Sequence, residues 1–142
     1  MADITLNKAR QIIRTARTKG KEMGLKPLSV VVLDSGGHVV AFEREDGTSP
    51  GRFAIAQGKA HAAIMLGMGG TALMARAEAQ TYFIDAMNGL FNGNFVPVPG
   101  GVLIRTARGG VIGAVGVTGD SSENDAEAAK TGIEAAGYVA EI

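Results

Sequence analysis

Two β-rich runs, each doubling back about a glycine-bearing turn, leave this chain few architectures. The first reads Leu28-Ser-Val-Val-Val-Leu33, turns at Asp34-Ser-Gly-Gly37 and resumes as His38-Val-Val-Ala-Phe-Glu-Arg44. The second sets Val102-Leu-Ile-Arg-Thr106 against Val111-Ile-Gly-Ala-Val-Gly-Val-Thr118 across Arg108-Gly109-Gly110. Connections this short build hairpins, because a parallel pair needs a crossover of a dozen or more residues.

Helical patterns surround the hairpins. From Leu6, apolar or small residues recur at Ala9, Ile13, Ala16, Gly20 and Met23 with spacings of three and four, which predicts an amphipathic helix capped by Thr5 or Asn7. Ser49 and Pro50 offer a cap and a first-turn proline for a helix to about Gly67, rich in Ala and Gly. Gly69-Gly70 interrupts it, Thr71 opens a helical stretch to about Asn88, and Gly89 to Gly100 is turn-rich. Ser121-Ser122 with Asp125 reads as a variant capping box for a last helix through Ala136. The order helix, hairpin, helices, hairpin, helix predicts an α+β fold with a four- or five-stranded antiparallel sheet flanked by helices.

A length of 142 residues predicts a single domain over 1-142. Zero cysteines exclude disulfides, thiolate-held metals and thiol nucleophiles, so chemistry falls to carboxylates, Lys/Arg, hydroxyls, two histidines or a cofactor. The formal net charge is +0, which offers no global field to nucleic acid or an anionic membrane. Charge is nevertheless uneven: residues 1–27 carry seven Lys/Arg against Asp3 and Glu22, and residues 120–142 carry six Asp/Glu against Lys130. That asymmetry predicts mutual docking of the first and last helices, within or between chains. No apolar run approaches the length of a membrane span, and MADITLNKAR lacks the pattern of a secretory signal, so a cytoplasmic protein is expected.

Several residues invite chemistry. His38 and His61 are the only imidazoles, and with no H-x-x-x-H or E-x-x-H pair they predict no metal site of their own. Either suffices as an axial haem ligand, although a lone histidine without such companions is more often structural. Glu43 to Gly47 gathers charge between a strand and a helix start, and Lys59 interrupts a small, apolar helix, either snorkelling to the surface or entering a pocket. The stretch Gly113 to Gly119 lacks the G-x-G-x-x-G spacing and leads into the acidic Glu123, Asp125 and Glu127, which favours close strand packing over phosphate binding.

Read together, the string Val32 to Gly47, Lys59-Ala60, Pro97-Val-Pro-Gly-Gly-Val102 and Gly113 to Gly119 with Asp125 resembles the GlcG/HbpS-like haem-binding family. The same domain forms the C-terminal part of PduO-type corrinoid adenosyltransferases. The resemblance covers nearly the whole chain. It implies an antiparallel sheet between helices, a profilin- or PAS-like sandwich, with self-association to a dimer or octamer. Some family members bind or degrade haem, and many lie in catabolic operons. Positions matching the family's motifs are Asp34, Gly37, Arg44, Asp46, Gly47, Lys59, Pro99, Gly100, Gly101, Gly113, Gly116, Gly119 and Asp125. Glu45 stands where Met is common, and His61-Ala62 replaces a hydroxyl-bearing neighbourhood.

Two functional expectations result. In the first, a small-ligand-binding protein holds haem or a related tetrapyrrole, with His38 or His61 as axial ligand and Gly100, Gly101 and Thr118 lining the cleft. In the second, a metal-free isomerase, hydratase or decarboxylase acts on a small carboxylate: Arg44 clamps the substrate, Asp46 or His61 moves a proton, and Lys59 stabilises enolate charge. For either, Glu43 to Gly47, Phe95 to Gly101 and Thr118 to Ser122 are expected on one rim of the sheet, where glycines open backbone N–H groups to a ligand.

Overall fold

The computed structural model describes residues 3–142. Its elements are α1 (Leu6–Glu22), β1 (Ser29–Asp34), β2 (Val39–Arg44), α2 (Arg52–Leu66), α3 (Gly70–Ala79), α4 (Thr81–Leu90), β3 (Gly101–Arg105), β4 (Val111–Thr118), α5 (Ser122–Ala135) and β5 (Val139–Glu141). Both expected hairpins form, and their strands join through β1 and β4 into one antiparallel sheet of order β2-β1-β4-β3-β5.

Alternation along the strands builds two cores. Val30, Val32, Val102, Ile104, Val115 and Val117 face α1 and α5, whose Ile12, Ile13, Ala128 and Ile133 are buried against them. Val31, Leu33, Leu103 and Ala114 face the opposite way, under Ala56, Ala60 and Ala63 of α2. Strands buried on both faces read as continuous apolar runs, which is how β1 and β4 read in the sequence. Residues Leu73, Ile84 and Phe95 form a third cluster that seats α3 and α4 on α2.

The glycine-bearing β4 is packed, not poised for phosphate. A Cβ on Gly116 would collide with the carbonyl oxygen of Ala56, so Gly116 and the small residues of α2 exist to bring helix and strand backbones together. The Ala/Gly face of α2 is thereby packed on the sheet within the chain.

Other local expectations need correction. Helix α2 starts at Arg52 with Gly51 as a cap that has no side-chain bond; Ser49 and Pro50 sit in the preceding turn. The stretch from Thr71 divides at Gln80 (φ −138°, ψ 63°), whose side chain accepts from Arg76 Nε at 3.0 Å. Thr5 caps α1 as expected, accepting from the Lys8 amide. At α5, Ser121 caps by accepting from the Asn124 amide, while Asp125 points inward. Helices α1 and α5 do dock, but through buried Ala, Gly and Ile and the bond from Lys8 Nζ to Ala136 O (3.2 Å). No ion pair joins the two helices among the described residues, so apolar burial decides the docking and the charge asymmetry does not.

Candidate functional site

The register fixes which residues share an end of the sheet. Ser29 lies opposite Arg44 on one side and Thr118 on the other, and Gly101 lies opposite Gly116. The segments carrying Gly47, Gly101 and Gly119 therefore share one rim, as the strand order predicts. Helix α2 starts above this rim, where Arg52 Nη1 donates to Thr118 Oγ1 at 2.9 Å. Beside them is a cavity of about 220 Å³ lined by Lys26, Gly47, Thr48, Ser49, Arg52 and Gly119. Arg44 is exposed at the end of β2, and Asp46, also exposed, lines a separate cleft of about 310 Å³ with Arg17, Lys21 and Glu45.

Lys59 neither snorkels nor enters an open pocket. Its side chain is 4% exposed, and Nζ donates to Val117 O at 3.0 Å and to Asp125 Oδ2 at 3.2 Å. Asp125 accepts in addition from the Asp120 amide at 3.0 Å. Burial depresses the lysine and raises the carboxyl, and each partner's charge opposes the shift of the other. Gly100 and Gly101 lie directly against this lysine: a Cβ on Gly100 (φ +113°) would sit 2.8 Å from Lys59 Nζ. The protein itself fills the approach that these glycines were expected to open to a ligand. Thr118 is buried and held by Arg52.

Both histidines lie at the other end of β1. His38 is exposed in the β1–β2 turn, with Nδ1 3.1 Å from Asp34 Oδ1. Burial raises the Asp34 carboxyl, but amides of His38 and Gly36 and the imidazole outweigh it and hold the group below its ordinary range. His61, half-buried, has Nδ1 2.7 Å from Asn94 O. A carbonyl only accepts, so Nδ1 carries a proton, and in the neutral ring the lone pair is on Nε2. The ring meets Phe91 edge to face at 5.7 Å, and Phe91 stacks on Phe95. A Cβ on Gly37 would lie 3.2 Å from Met65 Cε and 3.8 Å from His61 Nε2, so the glycine leaves room beside the free nitrogen.

The structure thus divides the expected site. Arg44, Asp46 and Thr118 belong to one end, His38 and His61 to the other, and Lys59 with Gly100 and Gly101 is internal. The grouping of Arg44, Asp46, Lys59 and His61 around one carboxylate substrate does not form, because β1 separates the clamp from the imidazole and Asp125 occupies the lysine. Sequence reasoning missed Arg52, Ser29, Asn94 and Phe91. Arg52 alone left a signal: a cation in the first turn of a helix opposes the helix dipole, where an acidic residue is favoured.

A family model described as "Haem degrading protein HbpS-like" matches residues 4–134. No curated protein gives a significant match. Among solved structures, the chain is similar to a crystal structure of a PduOC–haem complex (22% identity over 96% of this chain and 97% of that one, TM-score 0.85). Protein ORFY of Klebsiella pneumoniae is similar at 24% identity over 96% and 92% of the two chains, TM-score 0.85. The crystal structure of HbpS is similar at 24% identity over 95% and 91%, TM-score 0.81. At these identities the likeness is one of fold.

Proposed function

Because the chain belongs to the family of HbpS-like haem-degrading proteins, we propose that it binds haem or a closely related tetrapyrrole, with His61 as the axial ligand. The observation that carries this reading is the placing of His61: Nδ1 donates to Asn94 O, which leaves Nε2 as the ligating nitrogen of the neutral ring, and the ring packs on Phe91 and against the Cβ-free backbone of Gly37. A bonded Nδ1–H orients the ring and raises the basicity of the ligating nitrogen. Bound haem would supply the redox-active iron, while the chain's own residues bind and orient it. The similar fold seen in a PduOC–haem complex supports the reading.

Titration of haem into the apo-protein is expected to shift the Soret band. His61→Ala should weaken binding by about tenfold or more, equivalent to about 1.4 kcal/mol, and His38→Ala should leave it nearly unchanged. A Soret band identical in wild type and in the double variant overturns histidine ligation. The same proposal includes self-association to a dimer or octamer, supported by the family motifs and by the unpaired β2 edge, and a cytoplasmic location, supported by the absence of cysteine. Among the described residues, no helix is long and apolar enough to cross a membrane.

A further inference from the structure

We propose that the outward side of α1 is a docking surface for an acidic helix of a partner protein, received by Arg10, Arg14, Arg17 and Lys21. The first observation is a row. These cations follow one another at spacings of four, three and four residues, which sets them on one face of the helix over about 16 Å. Helix α1 carries six Lys/Arg against Glu22 alone. Like charges at these spacings repel one another, so the row weakens the helix that bears it until an anion lies beside it.

The second observation is that the row is neither packed nor neutralised. Arg10, Arg14 and Lys21 are exposed, and none of the three has a carboxylate within ion-pair distance among the described residues. Arg10 and Arg14 are the common wall of two clefts, one of about 500 Å³ with Asn7 and Gln11, the other of about 220 Å³ with Arg17 and Glu43. Arg17 also lines the cleft of about 310 Å³ in which Lys21 stands. Open space thus follows the cations along the helix. Arg17 shows what the row accepts, since its Nη1 donates to Glu43 Oε1 at 2.6 Å and its Nε to Glu45 Oε2 at 3.1 Å.

The third observation is complementarity, which selects the partner. A helix with Asp or Glu at spacings of four, three and four presents one carboxylate to each cation of the row, and a guanidinium fork holds a carboxylate through two parallel bonds. Nucleic acid fits poorly: no aromatic side chain lines the three clefts to stack a base, and Glu43 and Glu45 beside the row oppose a continuous phosphate chain. A membrane surface fits no better, because Ile12, Ile13 and Ala16 on the apolar side of α1 are buried against the sheet and cannot enter lipid. A second copy offers the exposed Glu123, Glu127 and Glu134 of α5, but Lys130 occupies the third place of that series. The proposal does not depend on the haem reading given above.

The test uses the full chain and a labelled, alanine-rich helical peptide of about 20 residues that bears four Glu at these spacings. Fluorescence anisotropy at low salt is expected to show saturable binding that weakens as salt is added. Arg10→Glu/Arg14→Glu should weaken it about tenfold or more. Arg108→Glu/Lys130→Glu makes the same change in net charge away from the row and should leave binding nearly unchanged. A peptide of the same charge with a central proline, which breaks its helix, should bind about tenfold more weakly. Both substituted arginines of the row are exposed and unpaired, so that variant is expected to keep the wild-type melting temperature and the wild-type Soret titration, which separates lost docking from lost structure. Absence of saturable binding overturns the proposal, as does equal loss in the two double variants or equal binding of the proline peptide. Tighter binding of duplex DNA or of phosphatidylserine vesicles than of the helical peptide also overturns it, because the row then serves a phosphate surface.

Discussion

Lys59 and Asp125 lie almost entirely out of water, 4% and 1% exposed, and each is the principal compensation for the other's burial. Truncating one partner leaves an uncompensated charge in the interior, which costs about 3–5 kcal/mol. Asp125→Ala is therefore expected to lower the urea midpoint severely, more so because the Asp120 amide also loses its acceptor. The double variant Lys59→Met/Asp125→Leu should recover much of that loss, and a double variant no better than Asp125→Ala alone refutes the pairing account. Asp120 provides a pH signature on the same rim. Bonds from Asn124 and from the amides of Lys26 and Ser121 depress its carboxyl to about 2, below the usual carboxylate range. A depressed acid contributes stability that is complete above its unfolded pKa and disappears as pH falls through the folded one. The stability advantage of wild type over Asp120→Asn should thus shrink between about pH 4 and pH 2; an advantage constant across that window contradicts the assignment.

At the scale of elements, close approach decides where a side chain is tolerated. A Cβ on Gly132 of α5 would lie 2.6 Å from Ile12 O and 3.2 Å from Ile12 Cγ2 on α1, so Gly132→Ala forces the two helices apart. A cost of about 1–3 kcal/mol is expected from chemical denaturation. Gly89, inside α4 with nothing within 4 Å, should show the opposite sign, and Gly89→Ala is expected to stabilise by about 0.5–1 kcal/mol. If both substitutions move stability the same way, the packing account of the α1–α5 interface fails. Much of this element structure is legible in the sequence, because α1, the two hairpins and α5 each carry a periodic apolar pattern with a turn or cap at its end. Strand β5 is not legible: three residues hold no period, and pairing with β3 plus the Arg105–Glu141 contact at 2.7 Å makes it a strand. The break at Gln80 is equally silent, since no glycine or proline marks it. The candidate site is legible in its residue types but not in its grouping. His61 and Arg44 look combinable along the chain, and the structure sets them at opposite ends of β1.

For the whole molecule, the sheet leaves unequal edges. β5 has three residues, whereas β2 has six, with exposed ends and a half-buried middle. A long open strand presents unpaired N–H and C=O groups to another chain. Phe53 on α2 is 37% exposed and packs edge to face on Phe42 of β2, and Val39 at the strand's start is 44% exposed, which gives this side of the molecule an apolar lining. The oppositely charged helices α1 and α5, by contrast, dock within one chain through apolar burial. Self-association through the β2 side should therefore be insensitive to salt, because screening acts on exposed charges and not on apolar burial or strand pairing. Val39→Lys, which places a charge on the open edge, is expected to shift sedimentation equilibrium at micromolar concentration toward the monomer, whereas Lys130→Glu on α5 leaves it unchanged. A wild-type chain that sediments only as a 14.6 kDa species overturns self-association, and an assembly that dissolves in high salt but survives Val39→Lys places the interface on charged helices and not on the sheet edge.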